Sequence, residues 1–359
     1  MQFLMRLVVL CCFAATALAD KMTAHYIDIG QGDATLLEFD CGVVMIDVGA
    51  QGRREAAEYS AARLMNYLDD FFASRSHLNN TIDSVLITHN HNDHTYSLNR
   101  VYAKYAVKNL VTTTVGLGTD VRNILSRPDV NHRYLTYADA LDKLPHGLSY
   151  PEIDLFNQPG CNPNIQIFTG AVELRKDVII DGKSFTKDQF NGRTKQNDNS
   201  LVIKVEYGEA SFLFTGDLQE KGIEYLLANY RDHLDVLDVD VYYAGHHGSH
   251  YATTEEILAA MTPEIAVISA GHASDRTKTS AWSYGIPDRD IVARLSDEVT
   301  IERGISITGE VFTGGNGDNL VNNPIRRLID KAVYCTCWDA TVVIEADTVK
   351  GTYSVRTNQ

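Results

Sequence analysis

The sequence predicts an α+β protein of layered design, and three observations carry that prediction. Apolar runs of strand length open the chain and recur after residue 200. A helix-periodic segment separates the third run from the fourth, as layered folds require. Three of the runs end abruptly in histidine or aspartate, which places polar chemistry at strand ends.

The first residues stand apart from this pattern. Arg6 supplies a short positive region, residues 7–18 are almost wholly apolar, and Ala17-Leu18-Ala19 is an A-x-A cleavage site before Asp20. Residues 1–19 therefore read as a secretory signal peptide whose apolar run is short for a membrane span. No later stretch is long and apolar enough to cross a bilayer. The expected mature chain is soluble, and secreted or periplasmic.

Residues 25–29 and 35–39 read as strands joined by Gly30-Gln31-Gly32-Asp33, a turn whose glycines permit unusual backbone angles. Residues 43–46 form a third strand, ending at Asp47-Val48-Gly49. Residues 55–72 have helical spacing, with Ala57, Ala61, Leu64, Met65, Leu68 and Phe72 on one face. A buried strand over 82–87 follows. Residues 97–195 are irregular: a helix, a strand over 107–114, then proline-bearing loops expected to wall a cleft. Regularity returns with strands at 200–205 and 211–214, a helix over 220–229, a strand over 236–243, a helix over 254–261 and a strand over 265–269. Short strands at 332–335, 340–345 and 352–355 close the chain. With no repeat or low-complexity linker, residues 20–359 are expected to form a single domain.

The run Thr88-His89-Asn90-His91-Asn92-Asp93-His94 follows the strand over 82–87 directly. His89 and His91 are two apart, so an extended backbone turns both imidazoles to one side, where they can share an ion. Asp93 and His94 lie beyond, where a turn can aim them at a second ion. Imidazole nitrogen and carboxylate oxygen are the ligands of catalytic zinc. Two further strand ends repeat the logic: Phe214-Thr215-Gly216-Asp217, and Tyr243-Ala244-Gly245-His246-His247-Gly248-Ser249.

Charge and cysteines narrow the setting. The formal net charge is −15, with 47 acidic against 32 basic residues, which opposes tight capture of duplex nucleic acid. A small-molecule or polymeric phosphoester remains compatible with it. Cys41, Cys161, Cys335 and Cys337 remain after cleavage, an even number that permits disulfides in an oxidising compartment without specifying them. Asn79-Asn80-Thr81 is a lone glycosylation sequon.

The order HxHxDH, GD, HHGS resembles the metallo-β-lactamase superfamily. The flanking residues resemble the branch seen in the hydrolase domain of the DNA-uptake channel protein ComEC/Rec2. That branch's "DVGQGDA" is similar to Asp28-Ile29-Gly30-Gln31-Gly32-Asp33-Ala34, and its "IDTG" to Ile46-Asp47-Val48-Gly49. Its "NNNSLV" is similar to Asn197-Asp198-Asn199-Ser200-Leu201-Val202. The resemblance covers residues 24–300, least well in the middle, and says less about substrate than about fold.

It implies a four-layered αββα sandwich with two divalent ions at one sheet edge, zinc by donor type, with manganese also suited to the oxygen-rich second site. His89 and His91 would bind the first ion; Asp93, His94 and one of His246 or His247 the second; Asp217 would bridge them. Asp47 resembles the family's orienting carboxylate, Asp33 would line the site from the opening hairpin, and Asn197 and Asn199 would stand just behind the ions. Two departures follow. Gln196 stands where many members carry a third histidine for the first ion, so that ion would have fewer protein ligands, and be weakly held, or take Asn197 or Asp198 as a substitute donor. The branch's "YGHP" is replaced by Tyr284-Gly285-Ile286-Pro287, leaving His250 or His272 to touch substrate.

Two ions about 3.5–4 Å apart can activate a bound hydroxide and polarise an ester or phosphoryl oxygen, so no serine or cysteine nucleophile is required. Asp93, or whichever of His246 and His247 is not a ligand, would move the proton. The expected function is a secreted metal-dependent phosphodiesterase, acting on nucleic acid or on an envelope phosphoester such as phosphorylcholine. Tyr96, Tyr251, Trp282 and Tyr284 near the mouth would stack a base or hold a quaternary ammonium, with Ser249 beside them. The alternatives are a carbon ester or lactam hydrolase and, further off, an exported binding protein that keeps the fold.

Overall fold

The computed structural model describes residues 21–52, 55–135, 145–169, 174, 176–190, 196–313 and 323–358; the segment 1–19 lies outside them. In chain order the strands are β1 (Lys21–Tyr26), β2 (Ala34–Phe39), β3 (Gly42–Val48), β4 (Thr81–Leu86), β5 (Ala106–Thr113) and β6 (Asn131–Leu135). They continue with β7 (Asn164–Thr169), β8 (Val178–Ile180), β9 (Lys183–Phe185), β10 (Leu201–Tyr207), β11 (Ala210–Phe214) and β12 (Val241–Tyr243). The last are β13 (Ile265–Ile268), β14 (Glu302–Val311), β15 (Ile325–Lys331), β16 (Val333–Cys335), β17 (Val342–Asp347) and β18 (Thr352–Thr357).

Two mixed sheets carry the fold. One is eight-stranded, in the order β18-β17-β1-β2-β3-β4-β5-β6, and the other six-stranded, β16-β13-β12-β11-β10-β7. Each changes from antiparallel to parallel pairing part way across. β3, β4, β5 and β6 run parallel in the first, and β11, β12, β13 and β16 in the second. Parallel strands bring their C-terminal ends to one edge, where open α/β sheets place their ligands.

The strand β3 shows how the layers arise. Val44 and Ile46 join the core between the sheets, while Val43, Met45 and Val48 face the helices outside. That outer core is completed by Leu64, Leu68, Phe71 and Phe72 of the helix Glu55–Ala73, with Val101 and Ile124 of two shorter helices. Truncating Leu64 or Leu68, both fully buried, to alanine should cost about 2–5 kcal/mol. On the far side, Ile223 and Leu226 of Glu220–Asn229, Ile257 of Glu255–Met261 and Leu295 of Arg289–Glu298 cover the second sheet. Helices outside and sheets inside make the four-layered αββα sandwich that was expected.

Several elements differ from expectation. The strand expected over 236–243 is only Val241–Tyr243, because Leu234–Leu237 winds into a 3₁₀ turn. The buried Lys204 ammonium holds that turn by donating to the Val236 carbonyl at 2.9 Å. The stretch after residue 97 is more regular than expected, since β5 and β6 extend the first sheet and β7 edges the second. The helix Arg289–Glu298, capped by the Asp288 carboxylate, and the hairpin β14–β15 were not foreseen. The four cysteines pair as Cys41–Cys161 and Cys335–Cys337.

Candidate metal centre

Three main-chain segments are laced together beneath the histidine run. The Asp33 amide donates to the Asp93 carbonyl and the Gly49 amide to the Asp33 carbonyl, both at 2.8 Å. Gly49 has to be glycine: a Cβ there would lie 1.6 Å from the Asp93 carbonyl oxygen. Asp47 holds the segment from the side, accepting from the Thr88 amide at 2.8 Å and the Thr88 hydroxyl at 2.7 Å. Gly216, at φ +51°, presses on Thr88, where a Cβ would come within 2.7 Å. The Gly-Asp pair and the histidine run are thus fitted to each other.

The parallel strand ends then bring the donors into two groups around Asp217, which is almost fully buried. Its Oδ2 lies 3.5 Å from His89 Nε2 and 3.7 Å from His246 Nε2. His91 Nδ1 joins this group, 3.0 Å from His89 Nε2. Asp217 Oδ1 faces the other way, 3.2 Å from His94 Nε2 and 3.6 Å from His247 Nε2. Asp93 Oδ2, 3.5 Å from His247 Nε2, completes the second group.

The donor chemistry fits a pair of divalent cations. His94 Nε2, His247 Nε2 and Asp217 Oδ1 are buried polar atoms without a hydrogen-bond partner, and they face one another. Such atoms are costly unless a cation or proton joins them. The far nitrogens are already engaged: His94 Nδ1 lies 2.7 Å from Asp47 and His247 Nδ1 lies 2.9 Å from the Ser269 carbonyl. Those acceptors hold each ring with its Nε2 lone pair free for an ion.

Electrostatics point the same way. Burial pushes the His94 and His247 imidazoles down, but Asp217 and Asp33, with Asp47 at His94, outweigh it and hold both well above the usual range. Burial likewise pushes Asp217 up, and the four surrounding histidines hold it well below the usual carboxylate range. Buried His89 is instead held well below its usual value, first by burial and then by His94. The same carboxylate charge that raises these imidazoles would favour a cation between them.

The pair His246 and His247 is reached at a backbone cost. Both residues are left-handed, at φ 48° and 55°, as is Asp47 at 56°. Non-glycine residues held there cost about 1–3 kcal/mol each and persist where the surrounding structure fixes them. The twist sends the adjacent imidazoles to opposite sides of Asp217. His246 thus stands in the first group, where Gln196 was read as leaving a gap. The Gln196 side chain packs over Gly116 instead.

Among the other expected residues, Asn197 reaches His246, its Nδ2 3.2 Å from Nε2. Asn199 donates to the Phe190 carbonyl and supports a loop. The cleft of about 990 Å³ over the cluster is lined by Ser249, Tyr251, Tyr284, Asn90, Thr119 and Asn197 among others. Tyr96 lies outside this lining, donating to Glu58 and stacked with Arg100. His250 and His272 also lie outside it, His272 paired with buried Asp28 at 3.2 Å. Trp282 is largely buried under Arg276. Gln219, whose amide meets His246 Nδ1 at 3.1 Å, and Thr88 were not foreseen; each flanks a motif, but only folding shows its partner.

This site, a shared carboxylate between two groups of strand-end donors, is built on the layered architecture of metal-dependent hydrolases. The metallo-beta-lactamase superfamily model matches residues 27–114 and 191–272, and the chain belongs to that superfamily. Its relatives include Recombination protein 2 of Haemophilus influenzae, 24% identical over 286 residues covering 79% of this chain and 28% of that protein. They also include Competence protein ComA of Neisseria gonorrhoeae, 38% identical over 147 residues, 37% of this chain and 20% of that protein. The ComEC/Rec2-like resemblance is thereby confirmed, and the matches span under a third of these relatives. Among solved structures, the metallo-beta-lactamase fold protein YhfI from Bacillus subtilis aligns over 69% of this chain and 85% of its own, with 11% identity and TM-score 0.34.

Proposed function

We propose that this protein is an exported, two-metal phosphodiesterase. The observation that carries the two-metal reading is Asp217, whose oxygens face separate donor groups, His89, His91 and His246 on one side and His94, His247 and Asp93 on the other. Zinc suits these imidazole and carboxylate donors. The names of the recombination and competence relatives support a phosphodiester of nucleic acid as substrate, with envelope phosphoesters such as phosphorylcholine as the second candidate.

When bound, the ions would polarise a phosphoryl oxygen and lower the pKa of an attacking water. The chain's own residues supply the rest. Asp217 fixes the separation of the two donor groups through one rigid carboxylate. Asp47 and the Ser269 carbonyl hold His94 and His247 in a single tautomer. With both His246 and His247 turned into donor groups, the Asp93 carboxylate, which offers Oδ2 to its group, would move a proton with its other oxygen, its side chain being 29% exposed. The amides of Asn197 and Gln31 line the wall and can bind the non-bridging and sugar oxygens of a diester.

Export is supported by the signal-like residues 1–19 and by two disulfides, which persist in oxidising compartments. No helix among the described residues is long and apolar enough to cross a membrane. The deciding experiment incubates zinc-loaded protein with bis-p-nitrophenyl phosphate, single-stranded DNA and p-nitrophenyl phosphorylcholine, with Asp217→Ala as blank. Turnover of a diester by the wild type alone is expected. Hydrolysis of nitrocefin or a homoserine lactone without any diester would replace this reading with a carbon ester or lactam hydrolase.

A further inference from the structure

Behind the second donor group lies a carboxylate that is not part of the cleft lining and yet meets both of its imidazoles. Asp33 is buried, 3% exposed. Its Oδ1 lies 3.3 Å from His247 Nδ1 and its Oδ2 lies 3.6 Å from His94 Nδ1. These are the nitrogens turned away from Asp217, so Asp33 stands on the opposite side of both rings from the point where their Nε2 atoms converge. Asp47 contacts His94 alone of the two, and the Ser269 carbonyl His247 alone; Asp33 spans the pair.

The position of this carboxylate is itself set from the second sheet. The Tyr243 hydroxyl donates to Asp33 Oδ1 at 2.5 Å. Burial first, and then the Asp33 charge, push this phenol well above its usual value, so it stays a donor at any physiological pH. Its ring cannot swing away: it stacks on Tyr26 at 5.4 Å and 18° and leans on Phe214 at 5.7 Å. Asp33 is equally fixed at its main chain by Asp93 and Gly49. A buried carboxylate held at both ends, with its charge against two Nδ1–H groups, both orients the rings and raises their basicity toward a cation.

We infer that Tyr243 and Asp33 are positioning residues for the second ion alone, acting through His94 and His247. The inference rests on the two-ion reading of the site. The first group is held by other partners at its far nitrogens: Thr88 at His89 Nδ1 and Gln219 at His246 Nδ1. Loss of the Tyr243 hydroxyl leaves the Asp33 charge without its closest donor and frees it to turn from the imidazoles, while the first group keeps its supports.

The test titrates cobalt(II) and zinc into the metal-free chain, reading the cobalt d–d bands and bound metal per chain for wild type, Tyr243→Phe and Tyr353→Phe. Tyr353 is the control, a tyrosine whose hydroxyl also donates to a carboxylate, that of Asp240 just before β12, at 2.6 Å. Two equivalents should bind the wild type and Tyr353→Phe alike. In Tyr243→Phe one equivalent, the same one that His247→Ala removes, should weaken by about 10–100-fold and its cobalt bands should shift, with the other unchanged. Wild-type affinity at both sites, or equal weakening at both, overturns the inference. If Tyr243→Phe fails to fold by circular dichroism, near-isosteric Asp33→Asn decides by the same readout: selective loss of the second ion supports the inference and unchanged binding overturns it. Uptake of fewer than two ions by the wild type overturns the two-ion reading, and this inference with it.

Discussion

His246 Nε2 lies 3.7 Å from Asp217 Oδ2, on the side of the carboxylate that also faces His89. The neighbouring His247 faces the other oxygen. The two imidazoles of the HHGS motif therefore face different donor groups, and in the two-metal reading they would serve different ions. His246→Ala should abolish or weaken by at least about tenfold the binding of one metal equivalent, and His247→Ala the other. Double titrations distinguish the two losses: the double variant should retain neither tight site. Loss of the same equivalent in both single variants would show that one histidine is not a donor. Gln196→His should not restore the first site in His246→Ala, because that side chain packs on Gly116.

Acid sensitivity should come from a cluster on the outer face of the first sheet. His25 Nε2 lies 3.2 Å from Glu38, and Arg75 bonds the same carboxylate at 2.9 Å. Burial pushes Glu38 up, but the hydrogen bonds from His25 and Arg75 outweigh it and lower its pKa from 4.5 to about 2. Burial lowers the His25 imidazole below its ordinary 6.5. Both shifts have one sign: the unfolded chain binds protons more readily than the folded chain. The Glu38 contribution is complete above about pH 4.5 and is lost as pH falls toward 2; that of His25 begins to fall below about pH 6.5. Glu38→Gln should remove about 1–2 kcal/mol of neutral-pH stability, after allowance for solvent screening, and flatten the acid limb of urea-midpoint measurements. An unchanged acid limb would count against this assignment.

The two disulfides should differ sharply in what they contribute. Cys41–Cys161 spans 120 residues and ties the segment leading to β7 onto the turn between β2 and β3, whereas Cys335–Cys337 spans 2. Loop-closure entropy in the unfolded chain gives about 5 kcal/mol for the long loop and about 1 for the short one. Urea unfolding of the paired Cys→Ala variants should preserve that ranking. The short bridge is placed for local order: the Thr336 hydroxyl within it bonds both the amide and the carbonyl of Ala270, at 2.9 Å each, beside the Ser269 carbonyl that accepts from His247. Comparable destabilisation by the two pairs would contradict the entropic account.

The legible part of the site was the part written in strand ends. His89, Asp217 and His247 each follow an apolar run, and parallel pairing carries such ends to one edge whatever the loops do. The αββα layering was legible for the same reason, since period-2 strands and the Glu55–Ala73 stripe need covering on defined faces. The split between His246 and His247 was not, because it depends on two left-handed residues that spacing rules for extended chain do not anticipate. Tyr243 was hidden differently: in the sequence it is one more aromatic of a buried strand, and only the crossing of the two sheets brings its hydroxyl to Asp33. The helix Arg289–Glu298 did carry a signal, Asp288 before Ile291, Val292 and Leu295, which the weak hydrophobicity of the surrounding residues obscured.

Substrate choice should be read at the two tyrosines of the cleft mouth. Tyr251 and Tyr284 line the cleft with 46% and 42% of their surface exposed, whereas Trp282 is nearly covered and Tyr96 lies elsewhere. Rings so placed can contact the arms of a diester but not the phosphorus, so they bind ground state and transition state alike. Their truncation should raise KM and leave kcat near wild type. Stacking of a base is worth about 1–3 kcal/mol, so Tyr251→Ala or Tyr284→Ala should raise KM for a dinucleotide by roughly 5–150-fold. A quaternary ammonium held by cation–π contact would instead carry the penalty on p-nitrophenyl phosphorylcholine and spare the dinucleotide. The KM ratio of the two substrates, measured in both variants, therefore separates a nucleic acid from a choline phosphoester. A fall in kcat at constant KM would place the tyrosines in the reacting centre, contrary to their position at the mouth.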